Sequence, residues 1–249
     1  MTLDAFFREH PRAALGFSGG VDSAFLLWAG LRAGADIRPY FIKTAFQPAF
    51  ELEDARRLAS DLGAELRVLE YDILSRPEVT ANPADRCYHC KRALFSLLRE
   101  AALRDGYPLL LDGTNASDDA GDRPGMRALA ELSVRSPLRD CGLTKAEIRR
   151  LSREAGLFTW DKPAYACLAT RIPAGTPLDA ETLGRVEAAE SALFGLGFTD
   201  FRVRVFHGAA LLQLPEAQFA RAAERRGEVL EVLKGQFGRA MLDLEARGS

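Results

Sequence analysis

The sequence predicts an α/β protein, with an open parallel sheet carrying helices on both faces and a small α+β module at the carboxy-terminal end. Three observations lead there. Through the first half, short apolar runs alternate with stretches of helical periodicity. A Ser-Gly-Gly turn stands between the first apolar run and the first helical stretch. After Pro177 the order changes to a helix, two short alternating strands, further helix and a closing strand.

Taken in order, Arg12–Phe17 is a short apolar strand, the stretch after the Gly-Gly turn is helical, and Asp36–Lys43 reads as the second strand. Glu51–Leu62 has helical spacing, Glu65–Tyr71 alternates as a strand, and Lys91–Leu103 is helical again. Pro108–Leu111 is a short apolar strand that runs into Asp112 and Gly113. The order βαβαβαβ demands right-handed crossovers, hence parallel strands with a ligand at their carboxyl ends. Thr144, with Glu147 three residues on, predicts a capping box for a helix that stops at Gly156. Residues 159–177 hold Pro163, Pro173, Gly175 and Pro177, but also Trp160, Tyr165 and Cys167; such a long loop with core-type residues is expected over the active site. Beyond it come a helix from about Asp179 to Phe194, strands Phe201–Phe206 and Ala209–Leu214, and a closing strand near Ala240–Leu244. The expected domains are therefore 1–176 and 177–249.

The composition bounds the function. With 249 residues, 47% hydrophobic and 27% charged, the chain has neither the profile of a disordered segment nor that of a membrane protein. A formal charge of -2 leaves no large positive excess for phosphate backbones, so nucleic acid is a disfavoured partner. No apolar run is long enough to span a bilayer, and a cytoplasmic protein is expected. In a reducing compartment four cysteines are an unlikely disulfide framework, which turns attention to ligation or sulfur chemistry.

The sharpest local motif is Ser18-Gly19-Gly20-Val21-Asp22-Ser23, after the first strand and at the opening of a helix. Glycines let the backbone approach phosphate oxygens, the helix amides point at the anion, and Ser18 and Ser23 add hydroxyls. Asp22 would repel a bare phosphate, and its place is explained by a Mg²⁺ travelling with the nucleotide. The lysine of a Walker A loop is absent. The bland alternative is a tight turn followed by an early-helix acid.

Cys87 and Cys90 form a CxxC, with Lys91 and Arg92 behind it to favour thiolates. Two ligands do not complete a site. Structural zinc would have to draft Cys141, Cys167 or His89, whereas Cys87, Cys90 and Cys167 on a [4Fe-4S] cluster would leave one iron open for an external sulfide. Cys141 reads as an ordinary small residue before a helix cap.

SGGxDS in this strand-to-helix position resembles the PP-loop of ATP pyrophosphatases. With RCYHCKRALF (Arg86–Phe95), DGTN (Asp112–Asn115), DRPG (Asp122–Gly125), VRSPL (Val134–Leu138), GLTKAEIR (Gly142–Arg149) and WDKPAYACLATRIPAGT (Trp160–Thr176), most of the chain resembles the LarE family. The resemblance implies an adenine nucleotide α-hydrolase-like fold and an enzyme of nickel-pincer nucleotide biosynthesis. ATP would adenylate a carboxylate of pyridinium-3,5-biscarboxylic acid mononucleotide, and sulfur would displace AMP to leave a thiocarboxylate. Family members with one cysteine sacrifice its sulfur; those with three are thought to use a cluster. This chain has all three, which implies the cluster type, with Cys167, Cys87, Cys90 and Asp22 catalytic.

On the same resemblance, Ser18, Gly19, Gly20, Asp22 and Ser23 bind the ATP phosphates, and Lys43, Gly113 and Thr114 lie where adenosine would sit. Arg86, Lys91, Lys162 and Arg171 are candidate clamps for carboxylate or phosphate, while Arg202 and Arg204 match arginines that bind the substrate phosphate at a subunit interface. Asp118, Asp119 and Asp122 are candidates for placing metal or substrate. A homo-oligomer is implied, and the sulfide donor is open. One departure stands out: where relatives commonly read ARIE, this chain has Leu211, Leu212 and Gln213. The rival readings are a PP-loop tRNA thiolase with an iron-sulfur cluster and a non-catalytic nucleotide-binding protein with structural zinc.

Overall fold

In the computed structural model, which describes residues 2–118 and 123–248, strand and helix alternate as the periodicity requires. The elements are α1 (Leu3–Glu9), β1 (Arg12–Gly16), α2 (Val21–Arg32), β2 (Asp36–Lys43), α3 (Ala49–Asp61), β3 (Arg67–Glu70), α4 (Pro77–Thr80), α5 (Arg86–Arg104), β4 (Leu110–Leu111), α6 (Arg123–Glu131), α7 (Pro137–Asp140) and α8 (Lys145–Glu154). Then follow α9 (Ala180–Gly195), β5 (Arg202–Phe206), β6 (Ala209–Gln213), α10 (Phe219–Glu224), α11 (Arg226–Phe237) and β7 (Ala240–Leu242). They form two compact units: Met1–Thr44, Ala49–Asp72 and Asp85–Lys162 make the first; Ala45–Pro48, Ile73–Ala84 and Pro163–Ser249 make the second.

The first unit is built on a four-stranded parallel sheet in the order β3-β2-β1-β4. Alternation along β1 explains why both faces are covered. Ala13 and Leu15 point into one core with Phe25 and Leu27 of α2, Leu58 of α3 and Ile148 of α8. Ala14 points into a second core with Leu98 and Ala102 of α5 and Leu129 of α6. A strand buried on both faces has no polar positions to spare, which is why Arg12–Gly16 reads as an unbroken apolar run after its first residue. The chain lays down β1, β2 and β3 toward one edge and then places β4 on the other side of β1. The crevice at the carboxyl ends of β1 and β4 is thus a topological switch point, where sheets of this kind bind ligands.

Helix starts follow their side chains. Thr144 and Glu147 form the predicted reciprocal capping box of α8, and Asp179 accepts from the Thr182 amide at the start of α9. The amino-terminal helix α1 and helix α6 were not anticipated by the periodicity reading. Thr2 caps α1, whose Phe6 and Phe7 are fully buried.

The second unit carries the small sheet β5-β6-β7, antiparallel between β5 and β6 and parallel between β6 and β7. Helix α9 packs on β5 and α11. The Cys167 segment belongs to this unit and is not irregular throughout, since Leu168–Arg171 forms a 3₁₀ turn. Asn82, buried with φ of 53°, donates through Nδ2 to the carbonyls of Pro173 (2.8 Å) and Thr176 (3.0 Å), while its own carbonyl accepts from the Gly175 amide. Among the described residues no helix is long and apolar enough to cross a membrane.

Candidate functional site

The Ser18–Ser23 loop lies where the sequence places it, between β1 and α2. Gly20 occupies the N-cap of α2 and has no side chain to offer the first-turn amides, which leaves the positive end of the helix directed to a ligand. Ser18 Oγ accepts from the Gly20 amide at 3.3 Å and lies 3.2 Å from Ser23 Oγ, so the two hydroxyls brace the turn from opposite ends. Gly19 is required twice over: its φ is +70°, and a Cβ there would stand 3.1 Å from the Ala55 amide of α3. Gly113 comes as close to the loop from the β4 side, since a Cβ on it would stand 3.0 Å from the Ser23 amide.

Between these two backbones opens a cleft of about 320 Å³. Ser18, Asp22 and Ser23 line one side, Gly113, Thr114 and Asp118 another, and Lys91 and Phe95 of α5 a third. Seven of the expected residues are thereby brought together, namely Ser18, Asp22, Ser23, Lys91, Gly113, Thr114 and Asp118. Lys43 ends β2 one strand away and is not part of that lining.

Two carboxyl groups in the cleft are shifted. Burial pushes Asp22 above the ordinary 3.8, against the opposing pull of the Lys145 ammonium. Its Oδ2 lies 2.5 Å from Lys145 Nζ, and its Oδ1 accepts from Asn115 Nδ2 at 3.3 Å. Burial likewise raises Asp112, although Ser136 (2.6 Å) and Thr114 donate to it and Lys91 is nearby. Lys145 was not among the expected site residues. It stands as the fourth residue of GLTKAEIR, and a lysine in the first turn opposes the helix dipole; that mismatch was the available signal. Its backbone is fixed by the Ser117 hydroxyl, which accepts from the Lys145 amide at 3.0 Å. Of the other acids considered, Asp118 accepts from the Asn115 amide, while Asp119 and Asp122 lie outside the described residues.

The CxxC opens helix α5. Cys87 and Cys90 are three residues apart and so one turn apart on one face, with Lys91 following into the cleft. Buried Arg86 donates through Nη2 to Cys87 Sγ at 4.0 Å. Both cysteines are half-buried. Lys162 pairs with Asp54 at 2.6 Å. Cys141 caps α7, and burial pushes its thiol up.

Cys167, also half-buried, is in the second unit. So are Arg171, Arg202 and Arg204, and each has partners within that unit. Arg171 is 1% exposed and grips Glu190 through Nε (2.7 Å) and Nη2 (3.2 Å). Arg202 is buried and donates to the carbonyls of Phe201 and Ala164. Arg204 reaches Gln213 and the Thr170 carbonyl. Each of the three donates to acceptors of its own unit, which a sequence cannot reveal when the partners are remote. Within each unit, among the described residues, no three His, Cys, Asp or Glu side chains are gathered so as to hold a metal ion.

No protein-family model matches the chain. It is 36% identical over 253 residues to an uncharacterized protein of Synechocystis, covering 99% of this chain and 92% of that one. It is 34% identical over 219 residues to the pyridinium-3,5-bisthiocarboxylic acid mononucleotide synthase of Lactiplantibacillus plantarum, covering 87% and 79% respectively. A tRNA-specific 2-thiouridylase of Thermotoga petrophila is 25% identical over 196 residues, 61% of this chain and 54% of the relative. With the phosphate loop at the switch point and the likeness to the synthase running along most of both chains, the protein belongs to the LarE-like family of PP-loop ATP pyrophosphatases.

Proposed function

We propose that this protein is an ATP-dependent sulfurtransferase that adenylates a carboxylate of pyridinium-3,5-biscarboxylic acid mononucleotide and converts it to a thiocarboxylate. One observation carries the reading. The Ser18–Ser23 loop and the CxxC helix α5 meet at a single cleft, the helix contributing Lys91. The approach of Gly19 and Gly113 to neighbouring backbone, where a Cβ would be tighter than ordinary contact, is the form a phosphate cradle takes.

In this reading the α2 amides, Ser18 and Ser23 hold the β- and γ-phosphates of ATP. The substrate carboxylate attacks the α-phosphorus, the bond to the pyrophosphate oxygen breaks, and the loop donors and Lys91 stabilise the charge gathering on the leaving group. Asp22 holds Mg²⁺, with Lys43, Gly113 and Thr114 toward adenosine. Arg86, Lys162 and exposed Arg204 remain the substrate-anion contacts. Soft thiolates suit iron-sulfur ligation, and Cys87 and Cys90 on one turn suit two irons of one cluster. Cys87, Cys90 and Cys167 would hold a [4Fe-4S] cluster, which would supply an open iron as the source of sulfide for the thiocarboxylate. A homo-oligomer acting on a small nucleotide, with no nucleic-acid partner, completes the proposal.

The decisive measurement combines pyrophosphate release with iron and acid-labile sulfide analysis of anaerobically reconstituted protein. Release that vanishes in Asp22→Ala, with about four irons per chain lost in each of Cys87→Ala, Cys90→Ala and Cys167→Ala, is the expected result. Zinc without iron overturns the cluster, and a fall in protein mass of roughly 34 Da on turnover assigns Cys167 as a consumed sulfur donor. The likeness to the thiouridylase keeps a tRNA thiolase as the second reading; salt-sensitive tRNA binding in a gel shift would favour it.

A further inference from the structure

The Cys167 segment is held by arginines. Arg202 Nη2 donates to the Ala164 carbonyl at 2.5 Å, Arg171 Nη1 to the Ala166 carbonyl at 3.1 Å, and Arg204 Nη1 to the Thr170 carbonyl at 2.8 Å. Thr170 in turn donates through its amide (3.0 Å) and hydroxyl (2.8 Å) to the carbonyl of Cys167 itself. Backbone acceptors on both sides of the cysteine are thus taken by guanidinium groups, with one clamp every two to four residues.

One of these cations, Arg171, is paired with a buried acid. Glu190 of α9 is 1% exposed. Its Oε1 accepts from Arg171 Nε (2.7 Å) and the Val203 amide (2.8 Å); its Oε2 accepts from Arg171 Nη2 and the Tyr165 hydroxyl. The Val203 amide belongs to β5, between the two arginines of that strand, so a single carboxylate ties α9, β5 and the cysteine loop. Packing supports the same arrangement: the Arg171 and Arg202 guanidinium groups lie 4.7 Å and 5.3 Å from the Tyr165 ring centre. A carboxylate with every neighbour a donor is a junction with no room left for a ligand.

We infer that Glu190 is a positioning residue for Cys167: through Arg171, Tyr165 and the β5 amide it fixes the backbone that presents the sulfur, and it touches no substrate. The burial cost is consistent with such a task. Burial, with the charges of Arg171 and Arg247, brings Arg202 down to about 10, against the opposing pull of Glu190 and Asp200. Buried ionic groups of this kind add little net stability against apolar replacements, and fixing one geometry is their better-attested use. The inference rests on the sulfurtransferase reading for its consequence in turnover, but its structural half stands on this unit alone.

The test uses the full chain with Glu190→Gln, which keeps the shape and removes the charge. Three readouts are taken together: peptide-resolved alkylation of Cys167 by iodoacetamide, amide hydrogen exchange across 164–171, and ATP-dependent pyrophosphate release. The expected result is Cys167 alkylation at least threefold faster, exchange raised across the loop, and sulfur transfer down tenfold or more. Pyrophosphate release, which draws on the phosphate loop of the first unit, should stay within twofold. Tyr165→Phe, which deletes one bond to Glu190 and should fold, gives a smaller change in the same direction and replaces Glu190→Gln if that variant does not fold. Wild-type alkylation and exchange in a folded variant overturn the inference. Absence of pyrophosphate release in the wild type defeats the sulfurtransferase reading instead, leaving the loop readouts to decide the role of Glu190.

Discussion

Lys145→Met tests whether the phosphate loop holds Asp22 as an anion. The substitution removes the ammonium 2.5 Å from Asp22 Oδ2 and keeps most of the aliphatic stem. The paired side chains are 33% and 21% exposed. They therefore fall between a surface pair, worth about 0–1 kcal/mol, and a fully buried pair, whose rupture costs about 3–5 kcal/mol. Discounting for the solvent-screened share gives a loss of about 1–2 kcal/mol at neutral pH, or roughly 2–8 °C in Tm for a chain of this length.

The loss depends on pH, with a definite sign. Burial holds the folded Asp22 above 3.8, so ionising it costs stability as pH rises through the folded value. Without Lys145 the carboxyl rises further, and that cost keeps growing to higher pH. Wild type and variant should therefore diverge toward neutrality and converge below the folded pKa of Asp22, where a neutral carboxyl needs no cation. Both tryptophans, Trp28 and Trp160, lie in the first unit, so urea unfolding followed by tryptophan fluorescence reports on the right part of the chain. In a cycle with Asp22→Asn the coupling should be about 1 kcal/mol, and the double variant should be more stable than Lys145→Met alone. A coupling under about 0.3 kcal/mol, within ordinary additivity error, or a loss that persists unchanged at low pH, would refute the reasoning.

Two further outcomes follow from the site. Gly19→Ala, at a φ of +70° and with its Cβ 3.1 Å from the Ala55 amide, should cost about 1–3 kcal/mol in strain and weaken ATP binding in a calorimetric titration; unchanged affinity would remove the turn from phosphate recognition. Cys141→Ala should leave iron content and sulfur transfer as they are, whereas Cys167→Ala should end transfer and spare pyrophosphate release. Iron loss in Cys141→Ala would reassign the ligands.

The fold was legible wherever a local period decides. The Asp36–Lys43 strand and the Thr144 capping box came out residue for residue, because a buried strand and a capped helix each write their rule within a few positions. Helix α6 was missed beside the Asp122 segment, where Pro124 and Gly125 signal a break. The phosphate loop was legible because its amides, hydroxyls and acid are consecutive. Lys145 and Asp22 are 123 residues apart, and Arg171 and Glu190 are 19 apart on different elements. Nothing local distinguishes an arginine facing a substrate anion from one facing a buried glutamate, since both need the same fork of donors. Partner choice across the fold therefore had to come from the structure.

Asn82 has a consequence for the order in which the chain assembles. Its partners at Ile172, Pro173 and Thr176 lie 90, 91 and 94 residues downstream. On a ribosome adding about 5–20 residues per second, the side chain that anchors the cysteine loop waits on the order of 5–20 seconds for anything to hold. During that interval β1 to β4 have all been made, and the parallel sheet can close first. Cys167 is thus set in place late, by a closure of high sequence separation, so a slow final phase should be visible there after the sheet has folded.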